Sequence, residues 1–243
     1  MSNIVCGVHA VRLALEHGQV RRLLLDQRRK DRRLDELRSL AASHGVKVSE
    51  VTADELKRLA VDVRHQGALA EIEGAAPLTE NQLENWLTTT DNPLVLVLDG
   101  VEDPRNLGAC LRAADGAGVD AVVIPRRRAA GLTPAARKTA AGAAEALPLY
   151  TVTNLARVLE TMGAFGLRRV GAVLTDDACP PWHCTLTGPL ALVLGAEGEG
   201  MRRLTREQLD ETVYLPMHGV VESLNVAVAC GVLLYEARRQ RET

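Results

Sequence analysis

Residues 92–125 read NPLVLVLDGVEDPRNLGACLRAADGAGVDAVVIP. An unbroken apolar run at 94–98 has the length of a strand, and the Asp-Gly and Asp-Pro pairs after it mark a turn. Residues 107–117 then carry apolar positions at helical spacing, and 121–124 is apolar again. Strands without polar alternation are buried on both faces, and strands separated by helices run parallel. Working outward, the alternation continues with a helix over 134–144, a strand over 147–151 and a helix over 155–162. Strands over 169–174, 190–194 and 213–215 follow, and a helix from about 223 to 239 closes the pattern. The predicted class is α/β with a mainly parallel sheet, an architecture that gathers ligands beyond the carboxyl ends of its strands.

Upstream lies a smaller mixed module. Helices are predicted over 9–16, 34–43 and 53–59, and short strands at 23–25, 46–48 and 69–72. Glu73-Gly-Ala-Ala-Pro-Leu-Thr79 is rich in small residues and lacks periodicity, as a linker does. The expected division is a domain over 1–72, a linker over 73–91 and a second domain over 92–243. The formal charge is +3 over 1–72 and −5 over the remainder, so the net of −2 hides a basic module followed by an acidic one. Arg28, Arg29, Arg32 and Arg33 cluster in the first module. A solvated face and a set of phosphate contacts both fit such a run.

Composition removes several classes. Of 243 residues, 47% are apolar and 25% charged, which excludes wholesale disorder. No apolar run approaches the ~20 residues that cross a bilayer. The N-terminus shows no secretory pattern, so a cytoplasmic protein is expected. Five scattered cysteines, Cys6, Cys110, Cys179, Cys184 and Cys230, read as free thiols rather than a disulfide framework. Cys179-Pro-Pro-Trp-His-Cys184 offers two thiols and an imidazole, but no second cluster completes a tetrahedral set, so no metal site is expected. Aromatic residues make up only 2%, which leaves no stacking platform for single-stranded nucleic acid.

Three loops at predicted strand ends carry the candidate chemistry. In the first, 98–112, Asn106 is most simply a helix N-cap, while Arg112 sits among apolar helical neighbours and needs a partner, a ligand or a path to solvent. In the second, 192–201, Gly195, Gly198 and Gly200 let the backbone turn tightly and approach a ligand. Its spacing is neither G-x-G-x-x-G nor a P-loop, and Glu197 and Glu199 would repel a phosphate. A ligand with hydroxyls and a cationic centre suits it better. In the third, 215–225, either Ser223 or Asn225 could cap the last helix, and His218 is assigned no role.

Taken together, DGVEDPRNLGACLR (99–112), LVLGAEGEGMRRLTRE (192–207) and LPMHGVVESLNVAVA (215–229) resemble the SpoU group of knotted, S-adenosylmethionine-dependent RNA ribose methyltransferases. Within it, the nearest resemblance is to the members that methylate a guanosine 2'-hydroxyl in 23S rRNA. GAAEALPLYTVTNLAR (142–157) supports the match, and GVHAVRLAL (7–15) with HQGALAEI (65–72) resembles the group's small, ribosomal-protein-like RNA-binding domain. The resemblance implies a catalytic set of Asn106, Arg112, Glu197, Ser223 and Asn225. It implies S-adenosyl-L-methionine as cofactor, held at Gly195, Leu215, Pro216 and Leu224. It further implies a C-terminal trefoil knot, which sequence pattern cannot reveal because knots run against the usual topology. A homodimer with sites at its interface is also implied, which leaves open whether Arg112 acts in its own subunit or its partner's.

The chemistry is consistent with those residues. Methyl transfer from a sulfonium is an in-line displacement, so the protein mainly aligns oxygen, carbon and sulfur. A guanidinium is effectively always protonated, so Arg112 is better read as orienting the hydroxyl and a neighbouring phosphate than as a base. Glu197 would hold that arginine or a substrate group, and the amides of Asn106 and Asn225 would fix polar atoms. The 2'-hydroxyl distinguishes RNA from DNA, so DNA is not an expected partner, nor is a membrane. RNA capture is expected to fall largely to the basic first module through Arg28, Arg29, Arg32 and Arg33. Alternatives are a tRNA or another rRNA ribose as target, or a non-catalytic RNA-binding or ribosome-assembly factor. A dinucleotide oxidoreductase lacks its glycine fingerprint here.

Overall fold

The computed structural model describes residues 3–16, 18, 20–60, 65–72, 78–196, 198 and 200–242. Glu197 and Glu199, both singled out in the sequence, lie outside the described residues. The chain divides into two compact units, one of Met1–Ala76 with Gly131–Ala146 and the other of Pro77–Ala130 with Leu147–Thr243.

The first unit contains β1 (Asn3–Cys6), α1 (Val8–Glu16), β2 (Val20–Asp26), α2 (Arg32–Ser43), β3 (Lys47–Val51), α3 (Ala53–Ala60) and β4 (Ala68–Ile72). Its sheet runs β1-β4-β2-β3, antiparallel except for the β2–β3 pair. Alternation along β2 decides the two faces. Leu23 and Leu25 pack with Leu15 of α1 and Leu34 and Leu37 of α2, whereas Leu24 packs with Leu56 of α3. The arginine run falls around the start of α2, where Asp31 caps the helix through the Arg33 amide. Arg29 is tied to Asp31 and to the Gln66 carbonyl, and Arg32 pairs with Glu36.

Two helices from later in the chain complete this unit: α6 (Pro134–Ala140), which packs on β1, and α7 (Ala143–Ala146). The sequence predicts one helix over 134–144, and the structure breaks it. Ala141 adopts a left-handed φ of 54°, and a Cβ at Gly142 would stand 1.9 Å from Leu13 Cδ1. The break lets the chain close against α1.

The second unit contains α4 (Glu80–Leu87), β5 (Leu94–Asp99), α5 (Pro104–Gly116), β6 (Ala121–Pro125), β7 (Leu149–Val152), α8 (Leu155–Ala164) and β8 (Arg168–Ala172). It closes with β9 (Leu190–Gly195), α9 (Arg203–Arg206), β10 (Glu211–Val213) and α10 (Val226–Arg241). The six strands are all parallel in the order β10-β8-β9-β5-β6-β7. Val95, Val97, Val123 and Val193 form one buried layer with Leu155 and Leu159 of α8. The alternate residues of β5 and β9, including Leu96 and Leu192, are fully buried on the opposite face, where α10 packs on β9 and α5. The α/β class and the parallel sheet are as the sequence predicts. Helix α4 lies within the expected linker, and its capping box, formed by Thr79 and Gln82, was readable in the sequence. The last strand sits two residues earlier than predicted because its partner β8 ends at Ala172, opposite Val213.

The thiol expectation needs one correction. Cys179 and Cys184 form a disulfide, since the Pro180–Cys184 turn, closed by the His183 amide on the Pro180 carbonyl, brings their Cα atoms to 6.0 Å. Cys6, Cys110 and Cys230 are free and buried. Burial pushes the Cys6 thiol up to about 11, so it stays protonated near neutrality.

The first unit holds a buried ion pair. Arg137 Nη1 lies 2.5 Å from Glu145 Oε1, with both side chains essentially inaccessible. Removing one partner would strand a buried charge. Glu145→Leu is expected to cost about 3–5 kcal/mol in urea unfolding, and Arg137→Met with Glu145→Leu to recover most of it. A double variant no more stable than the single would refute the pairing as the source of the loss.

Candidate active site

Strand order places the site. The chain moves from β5 to β6 and β7 on one side, then crosses to the other for β8, β9 and β10, so the strand order switches between β5 and β9. Their carboxyl ends therefore open on the crevice where α/β sheets hold ligands. The first and second candidate loops leave the sheet there.

The first loop enters α5 through a cap that sequence reasoning misassigned. Asp103, not Asn106, is the N-cap, accepting from the Arg105 amide at 2.7 Å with Pro104 opening the helix. Asn106 is thereby released for another contact. Its Oδ1 accepts from Nδ2 of Asn225, 119 residues away, at 3.1 Å. Asn225 does cap α10, its Oδ1 accepting from the Ala227 amide at 3.0 Å. One asparagine thus closes the last helix and ties it to the first loop. Arg112 lies on α5 with its side chain exposed, and among the described residues it has no ion pair or side-chain hydrogen bond.

The second loop is a tight fold-back. Ala196 and Gly200 exchange backbone hydrogen bonds at 3.1 and 3.0 Å. Gly198 and Gly200 have φ of 80° and 69°, which glycine adopts without a steric penalty. The close approach at Gly195 is to the chain itself: a Cβ there would stand 2.4 Å from the Met201 amide nitrogen and 2.5 Å from the Gly200 carbonyl carbon.

Sequence reasoning missed what pins this loop. Asp99, the last residue of β5, is fully buried. Its Oδ2 accepts from the Arg202 amide at 3.0 Å and its Oδ1 from Arg202 Nε at 2.6 Å. The carboxylate therefore anchors the exit of the second loop to the start of the first. A lone aspartate ending an otherwise apolar strand was the available signal.

A cavity of about 750 Å³ opens beside these loops, at the adjoining carboxyl ends of β9, β8 and β10. Of the predicted cofactor positions, Gly195, Leu215 and Leu224 line it and Pro216 does not. Ser223 also lines it, whereas Asn106, Arg112 and Asn225 stand outside its wall. Met217, Glu222 and the start of α10 complete it. Beneath it, α5 and α10 are joined by Cys110 and Cys230. The hydrogen bond its thiol makes to Cys110, together with burial, holds Cys230 well above its ordinary range.

The profile of the SpoU rRNA Methylase family matches residues 93–235, more than half of the chain. The chain belongs to the SpoU rRNA methylase family. A second profile, RNA 2'-O ribose methyltransferase substrate binding, matches residues 4–78. Among SpoU relatives, the 23S rRNA (guanosine-2'-O-)-methyltransferase RlmB of Photorhabdus laumondii is 47% identical over 100% of both chains. Its namesake in Pseudomonas putida is 48% identical over 98% of this chain and 96% of that one. The SpoU methyltransferase AviRb of Streptomyces viridochromogenes, solved in complex with AdoMet, has a TM-score of 0.81 at 27% identity, covering 98% of this chain and 89% of that one.

The glycines of the SpoU second loop should not be equivalent. Gly198→Ala meets no atom within 4 Å and is expected to cost only the left-handed backbone, ~1 kcal/mol. Gly195→Ala must displace the Gly200–Met201 peptide and is expected to cost about 3 kcal/mol or more. Thermal unfolding of the two variants checks the order, and equal melting points would contradict the fold-back.

Proposed function

We propose that this chain transfers a methyl group from S-adenosyl-L-methionine to the 2'-hydroxyl of a guanosine ribose in 23S rRNA. The observation that carries the reading is one cavity beyond a parallel sheet, walled by the second and third loops and with the first loop tied to the third by the Asn106–Asn225 hydrogen bond, in a chain that shares nearly half its residues with full-length relatives named for that activity. The cavity suits the cofactor. Its volume falls in the range of small-molecule sites, and its walls combine apolar side chains with backbone at Gly195, Ala196 and Leu215. The Glu222 carboxylate on its wall suits a cationic ligand.

When bound, the cofactor supplies a methyl group activated on a sulfonium. The chain's own part is placement. Backbone at Gly195, Leu215 and Leu224 would hold the ligand, with Pro216 shaping the turn outside the cavity, and the apolar wall would exclude water. Arg112, exposed and without an ion pair among the described residues, would present its planar fork to the ribose hydroxyl and an adjacent phosphate. Asn106 and Asn225, already fixed by each other, would orient polar groups of the substrate. Glu197 would hold the arginine or a substrate group, and Ser223 would act from the cavity's rim.

The assembly belongs to the same proposal. Val228, Val232 and Tyr235 expose one apolar stripe along α10, and Val220 and Val221 are exposed in the loop before that helix. A second copy would cover that surface, giving a homodimer. After the edge strand β10 the chain returns to α10, against β9 and α5, a route compatible with the group's trefoil knot. Residues 1–72 would recognise RNA, with 73–91 leading to a catalytic domain over 92–243. Among the described residues no helix is long and apolar enough to cross a membrane, and an rRNA substrate would be met in the cytoplasm.

Purified protein, labelled S-adenosylmethionine and unmethylated 23S rRNA test the reading, with tRNA and DNA of matched length as controls. Label is expected on a guanosine ribose of the rRNA alone, and rRNA binding without transfer would favour an assembly factor. Arg112→Ala is expected to lose transfer by at least 100-fold (on the order of an oriented electrostatic contact) while cofactor affinity survives. Arg112→Lys should fail as well, because an ammonium lacks the fork. Near-normal turnover of the lysine variant would remove the orienting role.

A further inference from the structure

We propose that Arg126, Arg127 and Arg128 form an RNA phosphate-binding site on the catalytic unit, next to the first candidate loop. This rests on the RNA methyltransferase reading and names a surface that such a reading leaves unassigned. The three residues follow β6 directly, and all are exposed. Strand β6 lies parallel beside β5, so the arginine loop emerges at the same sheet edge as the loop leading to Asn106.

The loop is braced. The Arg126 amide donates to the Val152 carbonyl and the Ala130 amide to the Val101 carbonyl of the first candidate loop, each at 2.8 Å. Arg128 is held at a left-handed φ of 55°, a conformation a β-carbon disfavours. Three consecutive cations are thus presented on a fixed turn.

They are also unneutralised. Among the described residues, none of the three makes an ion pair or a side-chain hydrogen bond. Elsewhere in the unit, Arg157 is held by Glu80, Arg169 by Asp210, Arg202 by Asp99 and Arg203 by Glu207. From Ala121 to Ala144 the sequence contains no carboxylate at all. Arg105, at the start of α5 beside the neighbouring strand exit, and Arg112 further along that helix are exposed and, among the described residues, unpaired too. In a region whose formal charge is −5, a concentrated positive edge at the reacting end suits a polyanionic strand running across it. By contrast, Arg29 and Arg32 of the run in the first unit already have carboxylate partners.

The test is affinity for a 23S rRNA transcript across a salt series. The neutral triple variant Arg126→Gln, Arg127→Gln, Arg128→Asn uses asparagine where φ is positive. Its log–log slope is expected to fall by about 2 to 3, at ~0.7–0.9 for each phosphate no longer neutralised. The triple lysine variant should keep the wild-type slope, and S-adenosylmethionine affinity should match wild type as a control for folding. Neutralising Arg28, Arg29, Arg32 and Arg33 together runs in parallel. A neutral triple with the wild-type slope, while the four-arginine variant loses slope, would overturn the site but leave the methyltransferase reading intact. Wild-type protein that neither binds nor labels the transcript would sink that reading, and this site with it.

Discussion

The pairing of β5 with β9 is the constraint on which the catalytic unit depends. These two strands run in register from Leu94 opposite Leu190 to Asp99 opposite Gly195, although nearly a hundred residues separate them. Each is apolar up to its final residue and buried on both faces, so a slip in register would move Asp99 away from the first glycine of the turn. Everything chemical hangs from the two carboxyl ends this pairing aligns. Asp99 can reach Arg202 because it ends its strand opposite Gly195. Gly195 can have no side chain because the chain folds back against it at once. The cavity opens one strand further along the same edge.

A buried carboxylate at that junction is costly unless its oxygens are satisfied, and Arg202 supplies both a backbone amide and a guanidinium. The guanidinium is partly solvated, so much of the benefit is geometric: a loop of glycines that would otherwise wander is held at its exit. The Asn106–Asn225 hydrogen bond plays the complementary part between the first and third loops. Three segments far apart in sequence are therefore connected by two polar contacts. Polar contacts are directional, which suits a site whose work is alignment.

Much of this was legible in the sequence, for physical reasons. Unbroken apolar runs such as 94–98 and 190–194 can hardly be anything but buried strands, and the helices between them dictate parallel pairing. The motif residues stand out by type and spacing, without their geometry. What was not legible depended on partners distant in the chain. Asn106 looked like a cap because capping is local and its partner is not; Asp103, three residues earlier, satisfies the helix instead. Asp99 looked like a turn residue, and nothing near it announces Arg202. The helix over 134–144 breaks where Ala141 and Gly142 turn to positive φ, and Leu13 packs so close to Gly142 that only a glycine fits there, a contact that periodicity cannot foresee. Cys179 and Cys184 read as separate thiols because spacing alone does not say how a Pro-Pro turn folds.

Charge shows the same limit at another scale. Summed by module, the chain has a basic first part and an acidic second, which assigns RNA capture to the first. Net charge, however, counts every arginine alike, whereas a phosphate meets only those whose charge is not already spent on a carboxylate. Arg29 and Arg32 face Asp31 and Glu36 across ordinary ion-pair distances. Exposed pairs of that kind contribute little stability, yet they cancel locally much of the field a polyanion would follow. In the acidic unit, Arg126, Arg127 and Arg128 follow β6 with no ion pair among the described residues, at the sheet edge from which the loop to Asn106 also leaves. Counterion release depends on the phosphates actually neutralised, not on the charge summed over a domain. Where cations lack partners is therefore a better guide to an RNA path than where cations are numerous, and among the described residues Arg126, Arg127 and Arg128 meet that measure while Arg29 and Arg32 do not.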